Sequence, residues 1–514
     1  MRATQQIFFC YPRRWPPQLR GCVSSYLGII AFVIATILSP WPAYAQDLNQ
    51  LPELGDASAS VISSAEEKKL GREFMRDARR TLTFINDPEL HDYLSGLGKR
   101  LVGHSGGNDT EFSFYLVKDP SLNAFAVPGG HISVHTGLIL AAEHEAELAS
   151  VLAHEIAHIT QRHLPRMIAA VKNQSIPMTA AIIAAILLGG QAGQAALIAT
   201  NASLLERQLK YSREFEREAD AIGIRALARS GFDPRAMPLF FERMEQWARI
   251  QESDAPEFLR THPLSTSRIA ESISRAEKYP RPQQVLEDTF LHMRAKIRAL
   301  FNGDPEHAIK YFASALEDKQ GSRSNVNHYG YAIALMASSQ YDLAREQIRI
   351  ILSADPQNPN YLIAEAEIEM RAGNHEVALA KYRKAHQAHP NLTVLERYVA
   401  AALIQTNHHE EAKQLIREII RKMEAEPQLY AMLAKAEGEL GNNFNAHQAL
   451  AEYHDSMGNP REALRQLRLA RNYAGNNFYA NASVDARIEE IEQQLRLSGE
   501  KIVPDKQRRQ LNLQ

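Results

Sequence analysis

The chain has 514 residues, too many for one ordinary domain and enough for two or three. Apolar residues make up 45% of it, so sizeable cores are within reach, and a formal net charge of −2 gives no reason to expect a nucleic-acid partner. Both cysteines, Cys10 and Cys22, lie near the N-terminus, which leaves no disulfide framework or thiol nucleophile for the rest of the chain.

Arg2, Arg13, Arg14 and Arg20 come before any acidic residue. An apolar run from Leu27 to Leu38 follows, broken only by Gly28 and Thr36, and Ala43-Tyr44-Ala45 then forms a small-x-small pattern. This order predicts an export signal over residues 1–45, cleaved after Ala45. The run falls well short of the ~20 residues that span a bilayer, which argues against an uncleaved anchor. Without the four leader arginines, 54 basic residues face 60 acidic ones, a balance of −6 that suits a secreted protein. Residues 46–63 are polar and hold turn formers, as a flexible lead-in would.

A first folded domain is expected over 64–285. Its first helix begins near Ser64, which can cap it in a capping box with Glu67. Asp87-Pro88 opens a second helix with Leu90, Tyr93, Leu94 and Leu97 on one face. The period then changes to two. Phe112, Phe114 and Leu116 alternate with more polar neighbours, and Phe125–Val127 and His131–Val134 flank Pro128-Gly129-Gly130 in a strand–turn–strand pattern. A long helical region starts at about Glu143.

That region holds His154-Glu155-Ile156-Ala157-His158. Histidines at i and i+4 share a helix face, so both imidazoles can reach one Zn²⁺ ion, and Glu155 beside them can take a proton from the attacking water and pass it to the leaving amine. About sixty residues on, Glu216 and Asp220 are again i and i+4. Glu216 is assigned as the third metal ligand and Asp220 as the carboxylate behind a ligand imidazole. The competing reading makes Glu216 part of a solvated face with Arg213, Glu214, Arg217 and Glu218.

Asn123, Phe125, Gly129 and Gly130 lie on a strand edge that could pair with an extended substrate; a purely structural hairpin is the equal alternative. His163, five residues past His158, is expected to face away from the ligands, behind them or at the surface. His131, His135 and His144 show no metal partner. Residues 176–205 are strongly apolar but interrupted by glycine and glutamine. They suit a helical hairpin or mobile loop over the site better than a membrane span, with peripheral membrane contact left open.

From about residue 290 a repeat takes over and runs to about 475. Ala344, Ala378, Ala412 and Ala446 are 34 residues apart, and Ala308 precedes them by 36. Phe312, Ile348, Tyr382, Ile416 and Leu450 each follow four positions later, while Ala332, Ala366, Ala400 and Ala434 come twelve before the inner alanines. Small residues at close helix crossings and large ones on a packing face suit stacked helix–turn–helix units and resemble the tetratricopeptide repeat. Ala463 falls at half a period, which predicts an irregular cap. Residues 476–514 read as a final helix with a frayed tail.

His154–His158 with Glu216–Asp220, Asn123-Ala124-Phe125-Ala126, Pro128-Gly129-Gly130, Thr136-Gly137-Leu138, Thr261-His262-Pro263 and Arg268-Ile269 together resemble the HtpX-type family of zinc endopeptidases. The resemblance implies a mainly α (α+β) protein: a zincin-like domain with a small sheet, followed by an α-solenoid of tetratricopeptide repeats. It implies one Zn²⁺ per chain. It also draws His262 into the site, as a regulatory fourth ligand that blocks the water position or as a group stabilising the transition state. Tyr211 and Arg213 are further candidates for the second role. With the leader and the repeats, the chain is similar to periplasmic members of that family. This implies misfolded or stalled outer-membrane β-barrel proteins as substrates and the β-barrel assembly machinery as a partner. The alternative is a client-binding chaperone or scaffold with a latent or structural zinc, against which Glu155 speaks, because structural zinc needs no base.

Overall fold

The computed structural model describes residues 63–106, 110–171, 202–250, 256–282, 288–317, 324–422 and 426–497. The leader, the lead-in up to residue 62, the apolar segment up to residue 201 and the tail from residue 498 lie outside the described residues.

Helix α1 is Ser64–Thr81, and its capping box is one residue earlier than the sequence suggested: Ser63 caps, and Glu66 reaches back to the Ser63 backbone N–H at 2.7 Å. The Ser63-Ser64 and Glu66-Glu67 doublets offer two registers. The earlier one leaves Glu67 free to accept from Arg162 Nε at 3.0 Å. Helix α2, Pro88–Val102, starts as expected, with Asp87 accepting from Leu90 N and proline in the first turn, where its missing N–H costs nothing. Leu90, Leu94, Leu97 and Leu101 are buried.

Strands β1 (Ser113–Val117), β2 (Ala124–Val127) and β3 (His131–His135) form a sheet of order β1-β3-β2, with β1 parallel and β2 antiparallel to β3. The β2–β3 turn needs its glycines. Gly129 and Gly130 have φ of +82° and +92°, and a Cβ on Gly130 would stand 1.8 Å from the Glu111 carbonyl oxygen. Helical structure resumes at once with α3 (Thr136–Ala141), earlier than the sequence suggested, and then α4 (Glu145–Thr160). Leu148, Val151, Leu152 and Ile156 of α4 pack with Phe114, Val134, Ile224 and Phe240 in one core. Helices α5 (His163–Val171), α6 (Ala202–Arg229), α7 (Ala236–Ile250), α8 (Glu257–Thr261) and α9 (Thr266–Ala276) complete this half. Among the described residues no helix is long and apolar enough to cross a membrane.

The repeats are helix hairpins. Their helices are α10 (Asp288–Phe301), α11 (Pro305–Glu317), α12 (Ser324–Ala337), α13 (Tyr341–Ala354), α14 (Pro359–Arg371), α15 (His375–Ala388), α16 (Thr393–Gln405), α17 (His409–Lys422), α18 (Pro427–Glu439), α19 (Asn443–Ser456), α20 (Pro460–Tyr473) and α21 (Phe478–Leu497). All nine periodic alanines are buried, as are Phe312, Ile348, Tyr382 and Ile416. Leu450 departs from the pattern: it is half-buried, and Ala449 and Ala451 take the buried positions beside it. The turns within hairpins carry a second periodic signal. Gly303, Ser339, Gly373, Asn407 and Gly441 all have positive φ, at the same spacings as the alanines. Each lets the chain leave one helix in the left-handed conformation and reverse into the next. Gly458 and Gly475 continue the series at half the period, and α20 accordingly buries Ala463, Leu464, Leu467 and Ala470 in the manner of a second helix.

Helix α10 serves both halves. Phe290, Met293 and Ile297 join the core around α4, while Ala295 and Ala299 join the first repeat core. Fully buried Lys296 of α10 meets Asp87 and Glu89 at the start of α2 and Glu367 of α14, and Tyr398 of α16 donates to Glu89 at 3.2 Å. Arg397 pairs with Asp92 of α2 and with Glu426.

Candidate active site

Helix α4 ends its buried run with the metal-binding motif, and α6 lies against it. Gly223 makes that approach possible: a Cβ there would come within 2.8 Å of Met237 Cε and 3.3 Å of the His154 backbone nitrogen. On α6, Phe215, Glu216, Ala219 and Asp220 are buried while Arg213, Glu214 and Arg217 are exposed. Glu216 therefore faces inward, and the solvated-face reading does not hold for it.

His154 Nε2 stands 3.0 Å from His158 Nε2, and Glu216 lies 3.4 Å from each of them. His262, which ends α8, comes to 3.3 Å of His154 Nε2 and 3.0 Å of Glu216 through its Nδ1. One atom from each of these four side chains falls within 4.8 Å of all the others. Glu155 is 1% exposed, and its Oε1 makes no hydrogen bond among the described residues. Burial raises its pKa, with the nearby His262 and His154 opposing, and the Ala126 N–H of β2 donates to its carboxylate. The edge strand thus touches the expected base directly.

Behind His154, Asp220 lies 3.1 Å from Nδ1 and is gripped by Arg268 through two bonds of 2.8 Å. Arg268 also lies 3.0 Å from Glu216 and donates to the Pro263 carbonyl at 2.7 Å, beside His262. Burial works against charge on His154, but hydrogen bonds to Asp220 and Glu216 outweigh it and push its pKa up to about 10. Burial likewise opposes ionisation of Glu216, yet His262 and His154 hold it well below the usual carboxylate range. In the metal-free protein a protonated His154 joins Arg268 in balancing the buried carboxylates Glu216 and Asp220; with His154 neutral, as a metal ligand must be, a deficit of positive charge is left. A divalent cation between two imidazole nitrogens and a carboxylate meets that deficit, so the donor set fits a metal such as zinc.

His163 stays out of the ligand cluster, as expected, and of the two expected places takes the one behind a ligand, facing His158 rather than away from it. A helix continued through residue 163 would carry it off the His158 face, but α4 stops at Thr160 and Arg162 takes a φ of +51°. The chain turns back, and His163 Nδ1 sits 2.9 Å from His158 Nδ1. His163 Nε2 faces Glu218 at 3.3 Å, so Glu218 is not part of a solvated face either. His131 contacts the Tyr115 hydroxyl, and burial and then Arg79 drive its pKa down to about 4. His135 contacts Ser121. Neither these two nor His144 joins the cluster around His154. Arg213 is exposed, and the Tyr211 side chain lies outside the described residues. Asn123 is buried with its Oδ1 unpartnered among the described residues, and Phe125 packs edge-on against Phe74 and His135.

A family model, peptidase family M48, matches residues 88–276, and a tetratricopeptide repeat model matches residues 297–470. The β-barrel assembly-enhancing protease of Escherichia coli K12 is 33% identical over 473 residues, covering 91% of this chain and 96% of that one. The chain belongs to peptidase family M48. It is a metalloendopeptidase, and the resemblance read from its motifs holds across nearly its whole length. The mitochondrial metalloendopeptidase OMA1 of Schizosaccharomyces pombe is 38% identical over 229 residues, covering 44% of this chain and 66% of that one. Yeast Tom70 aligns at 15% identity with a TM-score of 0.28, covering 68% of this chain and 82% of that one, too distant a likeness to add to the fold.

Proposed function

We propose that this metalloendopeptidase uses zinc, works in the periplasm, hydrolyses misassembled outer-membrane β-barrel proteins and assists the assembly of others, its repeats holding clients in a chaperone-like role. The observation that carries the enzymatic half is the meeting of His154, His158 and Glu216 beside the buried Glu155 carboxylate, whose Oε1 faces His262 Nε2 at 3.4 Å. The export-type leader and the 33% identity to a β-barrel assembly-enhancing protease support the rest.

In this reading His154, His158 and Glu216 hold the ion, one per chain, which when bound supplies Lewis acidity to the attacking water and the scissile carbonyl. Glu155 accepts the water proton through its carboxylate, whose Oε1 His262 Nε2 faces at 3.4 Å, and returns it to the leaving amine. Asp220 orients His154. An extended substrate lying along the β2 edge from Asn123 to Gly130 would bring its backbone beside Glu155. The test is zinc content and casein cleavage by the purified protein. Glu155→Gln should keep zinc and lose at least a hundredfold in rate, at the lower end of what general-base loss costs. Wild-type cleavage by that variant would remove Glu155 as the base.

His262 sits where a fourth ligand would, and a fourth protein ligand leaves no place for water. This supports a latent state that partner or substrate binding relieves. His262→Ala should then raise basal casein cleavage with zinc still bound. Slower cleavage at unchanged zinc would make His262 a transition-state group instead.

A further inference from the structure

His158 is braced differently from His154. The ring nitrogen of His154 that points away from the ligand cluster meets a carboxylate, Asp220, at 3.1 Å. The corresponding nitrogen of His158 meets another imidazole, His163, at 2.9 Å. Two facing Nδ1 atoms can share only one proton. His158 Nε2 is the nitrogen that faces His154 and Glu216, so its lone pair is the one a metal takes and its proton belongs on Nδ1. His163 must then accept at Nδ1 and carry its own proton on Nε2, where Glu218 receives it at 3.3 Å. The same Glu218 oxygen accepts from Arg166 at 2.9 Å. Phe215 lies flat on the His163 ring, with centroids 4.6 Å apart and planes 15° apart, and the Arg166 guanidinium covers Phe215 at 4.6 Å. Phe215 and Glu218 are i and i+3 on α6, one face away from Glu216 and Asp220.

We infer that His163 and Glu218 are positioning residues that hold His158, through two consecutive hydrogen bonds, in the tautomer that binds the metal. His163 lies behind His158 and outside the group of candidate ligands. Its effect reaches the ion only through the basicity and orientation of His158, as partners behind ligand imidazoles do elsewhere. The αL turn at Arg162 is what delivers it there.

The inference rests on His158 being a ligand, so the experiment includes His158→Ala. Zinc is titrated into the full-length protein against a chromogenic chelator, and the metal-free protein is melted in parallel. His163→Phe keeps an aromatic ring on Phe215 and removes both nitrogens. It should raise the zinc dissociation constant about 10- to 100-fold with the metal-free melting temperature unchanged. Glu218→Gln should weaken zinc several-fold alone and not at all in the His163→Phe background, because the relay is then already cut. Zinc affinity within twofold of wild type in His163→Phe, or independent additive effects of the two changes, overturns the inference. If His163→Phe does not fold, Glu218→Gln decides it: unchanged zinc affinity there also overturns it. Full zinc binding by His158→Ala would instead overturn the ligand assignment beneath it.

Discussion

Arg268 ties the site's buried carboxylates to the loop that carries His262. It neutralises Asp220, contacts Glu216 and holds the Pro263 carbonyl, all while 3% exposed. Removing one partner of a buried pair leaves the other charge without solvent or counterion, typically at a cost of about 3–5 kcal/mol. Arg268→Met should therefore lower the stability of the metal-free protein by that order, measured by urea unfolding. Added zinc should recover part of the loss, because the dication replaces some of the missing positive charge. A metal-free variant as stable as wild type would show that Asp220 and Glu216 do not need the guanidinium. The spacing of Glu216 and Asp220 named a ligand and the carboxylate behind an imidazole but no counter-charge for them. Nothing in the spacing said that the balancing charge would come from α9, 48 residues after Asp220, rather than from Arg213 or Arg217 close by.

At the level of helices, the site depends on how closely α4 and α6 approach. Gly223 sets that distance, since a side chain there meets Met237 and the His154 backbone. Gly223→Leu should force α6 outward, move Glu216 away from His154 and His158, and weaken zinc binding at least tenfold, as a displaced ligand does. Chelator competition reads this directly, and unchanged affinity would mean the helices tolerate the added bulk. The periodicity of 3.6 made both helices and their inward faces legible, because burial selects apolar residues at that spacing. The break at Gln161–Arg162 was not legible. No glycine or proline marks it, and an arginine at positive φ is a conformation imposed by the surroundings, here with Glu67 of α1 holding its guanidinium.

Across the whole molecule, the repeat helices and the M48 half are joined through buried charge. Lys296 lies among Asp87, Glu89 and Glu367, with Tyr329, Tyr382 and Tyr398 around them. Burial, against the pull of Lys296, raises the Glu89 pKa from 4.5 to about 7. The folded protein thus binds this proton more tightly than the unfolded chain. Its stabilising contribution is complete below about pH 4.5 and is lost as the pH rises through 7. Glu89→Gln, which cannot ionise, should gain on the wild type in melting temperature between pH 5 and pH 8. Parallel curves for the two proteins would show that Glu89 does not titrate in this window. The repeat period itself was legible from alanines spaced at 34, since only small side chains fit where paired helices cross. That the array would lean on α2 through Lys296 and Arg397 was not, because ion pairs more than two hundred residues apart leave no periodic trace.

The sequence by itself determined the metal motif on α4, the inward pair on α6, the hairpin with its two glycines and the repeat register. Each follows from local geometry: helical and strand periods, turn conformations and small residues at close crossings. Only the tertiary structure decided which arginine balances the carboxylates, that His163 turns back onto His158 and that the two halves share α10. Those outcomes depend on where separate elements come to rest. Buried charge and unpaired hydrogen bonds are settled there by whichever partner the fold brings within about 3 Å.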